Sequence, residues 1–135
     1  MRILLDTNII LDILQKREPW FANSYAVFER CIRQEYIGFI TSHSLSDLFF
    51  VLRKSHSVEN RRNAVKLICS YFKIVAENRD SFLAAVGNEY SDDLEDCLQI
   101  VAAQNQKLDF IITRNINDFK KSPVAVITPQ ELLLK

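Results

Sequence analysis

Asp6 closes the apolar run Ile3-Leu4-Leu5, and Asp47 and Asp96 interrupt apolar rows that have helical spacing. Carboxylates buried without a basic neighbour lose hydration and repel one another. Two of them ~4 Å apart repel by about 4 kcal/mol at an effective dielectric of 20. A domain stable by only ~5–15 kcal/mol cannot absorb several such terms. Either the acids lie apart, or some stay protonated, or a cation sits between them. An all-oxygen ligand set selects Mg²⁺ or Mn²⁺ over zinc.

Each acid has an ordinary alternative. Asp6 reads equally well as the N-cap of a following helix, although Thr7 and Asn8 can take that role and leave it free. Asp47 lies opposite the face formed by Leu45, Leu48, Phe49 and Leu52, and its i+3 and i+4 neighbours are Phe50 and Val51. No Lys or Arg is placed for a local ion pair, and a helix apolar nearly all round reads as buried. The alternative is a buried acid bonded to a backbone amide or a Ser. In Ser91–Asp96, Asp92 and Glu95 resemble a capping box, and Glu95 shares a face with Gln99 and Gln106 that reads as solvent. Asp96 shares a row with Ile100 and Ala103 and points toward packing, with Asp93 on the same side. Asn115 and Asp118 follow a strand at Thr113, where they either close a turn or add to the acidic group. Asp12 pairs with Lys16, Asp80 caps a helix and Asp109 precedes a strand. His43 and His56 lack metal-ligand spacing; His43, beside Thr41 and Ser42, either lines the site or is structural, the second reading being the more ordinary.

The elements that must position these acids alternate between strand and helix. Strands are predicted at 2–6, 36–41, 73–76, 110–113 and 124–127. Helices are predicted at about 8–15, 20–34, 42–54, from Ser57 to about 72, 80–87, 92–107, and from Thr128–Pro129 onward. Such alternation predicts a mostly parallel sheet with helices on both faces, and sites in such sheets form at the carboxyl ends of the strands. Asp6 and the segment Thr113-Arg114-Asn115 lie at such ends.

Composition narrows the class. The chain has 135 residues, 48% hydrophobic and 25% charged, with 17 basic and 17 acidic side chains. That is one globular domain and not a strongly basic nucleic-acid binder. If Asp6, Asp47, Asp93, Asp96 and Asp118 engage a cation, the 12 remaining acids face 17 basic groups, a surface a polyanion could approach. Asp6, Asn8 and Asp12 break the apolar N-terminus, which is not read as a signal peptide. No run reaches the ~18 apolar residues of a membrane span. Cys31, Cys69 and Cys97 form no CxxC pattern and read as free, mostly buried thiols of a reducing, cytoplasmic compartment.

Four segments in this order resemble the PIN-domain ribonucleases: Leu4-Leu5-Asp6-Thr7-Asn8, Thr41 to Leu48 around Asp47, Asp93-Leu-Glu-Asp96-Cys-Leu-Gln, and Ile112-Thr-Arg-Asn115-Ile-Asn-Asp118-Phe119. Together they span the chain, and the VapC-like toxins of type II toxin–antitoxin pairs are similar to it in size. The resemblance implies a single three-layer α/β/α Rossmann-like domain over residues 1–135, with a central, mostly parallel five-stranded sheet. It also implies an Mg²⁺- or Mn²⁺-dependent endoribonuclease. Asp6 and Asp96 match metal-binding acids, and Asp47 stands where many members carry Glu. Asn115 stands where some members have Asp, leaving Asp118 as the alternative source of that charge, with Asp93 auxiliary. Thr7, Asn8 and Thr113 would support this shell through hydrogen bonds. The chemistry implied is metal-assisted attack of water on phosphorus, leaving 5′-phosphate and 3′-hydroxyl ends. Partners implied are RNA, an antitoxin protein and a second copy of the chain. The amphipathic stretch Trp20–Ile32 reads either as a seat for a partner helix or as core packing.

Other readings fit less well. A phosphoacceptor receiver domain needs paired acids after its first strand and a late Lys, where this chain has a single Asp6 and Thr113-Arg114. With only Gly38 and Gly87, no phosphate-cradling glycine loop is available. A PIN-like scaffold that binds RNA or protein without cutting is the remaining alternative.

Overall fold

The computed structural model describes residues 1–135. Five strands, β1 (Arg2–Leu5), β2 (Ile37–Thr41), β3 (Lys73–Val75), β4 (Phe110–Ile112) and β5 (Val126–Ile127), form one sheet in the order β3-β2-β1-β4-β5. Every pairing is parallel, and Leu4 of β1 lies opposite Phe39 on one side and Ile111 on the other. A central strand covered on both faces reads as a continuous apolar run, which is why Ile3-Leu4-Leu5 shows no alternation with polar residues.

Alternate side chains of β1 enter different cores. Ile3 and Leu5 pack with Ile40 and Ile112 beneath the helices α1 (Thr7–Leu14), α2 (Phe21–Ile32), α3 (Ser42–Val51), α4 (Val58–Tyr71) and α7 (Pro129–Leu133). Leu4 packs with Phe39 and Ile111 on the other face, against Ile100 and Ala103 of α6 (Leu94–Asn105). The helix α5 (Arg79–Asn88) closes that layer through Ala85, which meets Leu98 and Val101 of α6. The result is the three-layer α/β/α arrangement. Gly38 on β2 is required by close approach: a Cβ there would lie 2.5 Å from ring carbons of Phe72 and 3.0 Å from the Cys31 sulfur.

The strand order places the site. From β1 the chain works outward to β2 and β3, then returns to β4 on the opposite side of β1. A sheet with such a reversal opens a crevice at the carboxyl ends of the strands flanking it, here β1 and β4. No helix is long and apolar enough to cross a membrane.

Several local expectations are corrected. α5 is capped by Asn78 with Ser81 and not by Asp80, and α6 is capped by Asp93 and not by Asp92, whereas the N-cap of α1 is Asp6, one of the two roles open to it in the sequence. Lys16 has a left-handed φ of 50° beyond the end of α1, and Asp12 pairs with Arg17 and Arg114 in its place. α3 is not buried all round, since Phe50 is 61% exposed, and it tightens into a 3₁₀ turn at Leu52–Lys54. Cys69 is exposed, whereas Cys31 and Cys97 are buried.

Candidate active site

Asp6 leaves β1 at the crevice and is gripped through both oxygens. One accepts the backbone N–H of Thr7 at 2.8 Å and the side-chain amide of Gln99 at 3.3 Å; the other accepts the Thr113 hydroxyl at 2.8 Å. Capping and site-lining are therefore the same act for this residue. Ser44 braces the arrangement, with its hydroxyl 2.7 Å from that of Thr7, 2.9 Å from that of Thr41 and 3.2 Å from the Gln99 amide nitrogen. All these donors are neutral. Burial pushes the Asp6 pKa up, and the bonds from Thr113, Thr7 and Gln99 only partly oppose it.

α6 supplies the second acid. Asp93 accepts the backbone N–H of Asp96 at 3.0 Å, which directs the first turn of α6 toward the crevice. The pKa of Asp96 is pushed up to about 7, first by burial and then by the charges of Asp93, Asp6, Asp118 and Glu95. Glu95 lies at the exposed rim, and its pKa is also raised, by partial desolvation first and then by the charge and hydrogen bond of Asp47.

These groups line one hollow of about 410 Å³, which contains Asp6, Asp47, Asp93, Glu95, Asp96 and Asp118 but no Lys or Arg. Thr7, Asn8 and Asn115 line it too. Thr113 lies behind it, where its hydroxyl also accepts the backbone N–H of Asn115 at 3.1 Å. All of the sequence-derived candidates thus converge. Arg114, between two of them, turns away: its guanidinium donates to Asp12 at 2.7 and 3.3 Å and lies 3.9 Å from the Trp20 ring centroid. The oxygen donor set, uncompensated by any Lys or Arg, fits a hard divalent cation.

Sequence reasoning missed Glu95, Gln99 and Ser44, and left His43 between the site and a structural role. Glu95 and Gln99 were assigned to solvent, yet Gln99 is 1% exposed and bonds to Asp6. The available signal was the i, i+4 spacing that pairs Glu95 with Gln99 and His43 with Asp47, each pair on one side of its helix. His43, Asp47 and Glu95 bring one ligand atom each to within 4.8 Å of one another.

Fold and site together define an α/β domain with an acidic pocket at the carboxyl edge of a parallel sheet. A PIN domain family model matches residues 2–117, and the chain belongs to the PIN domain family. Among solved structures it is similar to a toxin–antitoxin complex from Klebsiella pneumoniae, at 27% identity and a TM-score of 0.71 over 94% of this chain and 97% of that one. It is also similar in fold to VapBC2 from Rickettsia felis bound to a promoter DNA fragment, at 20% identity and a TM-score of 0.71 over 95% and 98%. VapC20 from Mycobacterium tuberculosis, a Sarcin-Ricin loop cleaving toxin, shares the fold at 9% identity and a TM-score of 0.72 over 91% and 96%. No curated protein matches the sequence.

Proposed function

We infer that this protein is a Mg²⁺- or Mn²⁺-dependent endoribonuclease and the toxin of a toxin–antitoxin pair, acting in the cytoplasm. The observation that carries the reading is the convergence of six carboxylates, without a Lys or Arg among them, at the strand ends of a PIN-family sheet. The likeness to a toxin–antitoxin complex and to an RNA-cleaving toxin supports the biological role.

Asp6 and Asp96 would hold the cation, with Asp47 and Asp118 completing the acidic wall and Asp93 fixing the turn that carries Asp96. Such a cation supplies Lewis acidity to a phosphodiester and to water. The rest falls to the chain. Thr113, Gln99 and the Thr7 amide set the rotation of the Asp6 carboxylate. Asn115 and Asn8 offer uncharged groups to a phosphate that the acids would repel. Asp96 must release the proton that its raised pKa retains near neutrality before it can ligate, so loading weakens as pH falls. An antitoxin and a second copy of the chain are the proposed protein partners.

The test incubates purified protein with structured RNAs and Mn²⁺ beside the Asp6→Asn and Asp96→Asn variants. Cleavage by wild type alone, abolished by EDTA, is the expected outcome. Equal cleavage by all three proteins means a contaminant, and retention of RNA by wild type without cleavage would favour the non-catalytic scaffold, to which the Asn at 115 also points.

A further inference from the structure

We propose that His43, Asp47 and Glu95 form a second cation subsite in this pocket, one that takes a transition-metal ion such as Zn²⁺, Co²⁺ or Mn²⁺ in preference to Mg²⁺. The subsite stands apart from the all-oxygen corner of Asp6 and Asp96, and does not depend on RNA being the substrate.

Three observations converge on it. The first is distance. One atom from each of the three side chains lies within 4.8 Å of the others. Ligands ~2.0–2.2 Å from one ion are at most ~4.4 Å apart, so the trio closes on an ion with small side-chain adjustments. The fold makes this possible because His43 and Asp47 are one turn apart on α3, and the first turn of α6 carries Glu95 toward them.

The second is the orientation of the imidazole. Glu77, just beyond β3, has a side chain only 6% exposed. One of its oxygens accepts the Ser42 hydroxyl at 2.6 Å and the His43 backbone N–H at 2.7 Å, and the other meets Nδ1 of His43. A carboxylate with three such neighbours acts as acceptor, which makes Nδ1 the N–H donor and leaves Nε2 with a lone pair. Metal-bound histidines are held in this way, through a carboxylate on the other ring nitrogen.

The third is what Nε2 lacks. It is buried and has no hydrogen-bond partner. A buried polar atom left unsatisfied costs ~1–3 kcal/mol, a cost that an ion shared with Asp47 and Glu95 would remove. Those two carboxyl groups also face each other across the same gap, and a cation between them would relieve their mutual repulsion. An imidazole nitrogen beside two carboxylates suits Zn²⁺, Co²⁺ or Mn²⁺, whereas Mg²⁺ prefers oxygen ligands and water.

The chain has two histidines, so long-range ¹H–¹⁵N spectra resolve the ring of His43 without RNA and without turnover. Stoichiometric Zn²⁺ should move the Nε2 signal of His43 while Nδ1 remains protonated, and Mg²⁺ in large excess should leave both in place. Glu95→Gln should weaken Zn²⁺ binding at His43 by about tenfold or more. The proposal is overturned if Zn²⁺ does not move the His43 ring, if Mg²⁺ moves it equally, or if Glu95→Gln binds as tightly as wild type. Because cleavage is not the readout, failure of the nuclease reading leaves this result intact, and the reverse also holds.

Discussion

Replacing Asp96 by Asn should stabilise the metal-free protein at pH 8, and by a smaller margin at pH 5. The Asp96 carboxylate accepts no hydrogen bond from the chain, so the amide forfeits none, while the repulsion from Asp93, Asp6, Asp118 and Glu95 is relieved. The pKa rises from 3.8 to about 7, and at ~1.4 kcal/mol for each pH unit the ionised group costs ~4 kcal/mol at face value. The side chain is partly exposed, and solvent screens the term to about 1–2 kcal/mol. The direction follows from linkage. Below about pH 4 the carboxyl is protonated in both folded and unfolded chains, and the full stability is present. Between about pH 4 and pH 7 the unfolded chain has lost a proton that the folded chain keeps, so wild-type stability declines as pH rises and the loss is complete above about pH 7.

The assay is a thermal melt of both proteins in EDTA at pH 5 and pH 8. For a domain of this length, 1–2 kcal/mol corresponds to a rise of ~4–8 °C in the variant's Tm at pH 8, with a smaller rise at pH 5. Saturating Mn²⁺ should reverse the order, since a ligand at 100 times its Kd adds ~2.7 kcal/mol to whichever protein binds it. A variant that melts below wild type at pH 8 in EDTA, or whose advantage is equal at both pH values, would refute the electrostatic account of the pocket.

Other outcomes follow from the packing. Gly38→Ala drives a methyl into the Phe72 ring, which is itself packed at 5.1 Å on Phe28, and should lower stability by about 1–3 kcal/mol in urea unfolding. Asp12→Asn strips the charge that Arg17 and Arg114 share inside the fold, and should cost about 3 kcal/mol by the same measurement. Iodoacetamide at pH 8, read by mass spectrometry, should label exposed Cys69 first; Cys31 is buried with its pKa pushed up to about 12 and should react only on unfolding.

The sheet was legible because its central strand is a run that must be buried on both faces, and the crevice because the strand-to-helix alternation fixes which ends the loops occupy. Asp6, Asp47, Asp96 and their neighbours were visible as acids among apolar residues. What the sequence hid depends on tertiary partners or on single backbone angles. Asp93 rather than Asp92 caps α6 because one residue and not the next adopts the extended conformation, a choice that residue type does not encode. Asp12 looked paired with Lys16 four residues on, but its partner Arg114 is 102 positions away. His43 carries no motif because the carboxylate that orients it, Glu77, arrives from another strand end. Phe50 misled for a different reason: Arg53 covers its ring at 3.7 Å, so an aromatic side chain on an apolar helix remains at the surface with its face occupied.

The buried pair of Asp12 and Arg114 bears on the chemistry as well as on stability. Arg114 sits between Thr113 and Asn115, at the tip of the strand that completes the pocket, and a guanidinium entering there would neutralise the acids that must attract a cation. The Arg114 side chain instead leaves toward α1. There Asp12 takes it bidentately and Trp20 covers it. Asp6 is meanwhile held only by neutral donors. The two arrangements act in the same direction: one carboxylate is consumed deep in the fold to sequester Arg114, and the other is fixed in place without an ion pair. A pocket whose negative potential is preserved at this expense is poorly explained as packing, and well explained as a seat for metal.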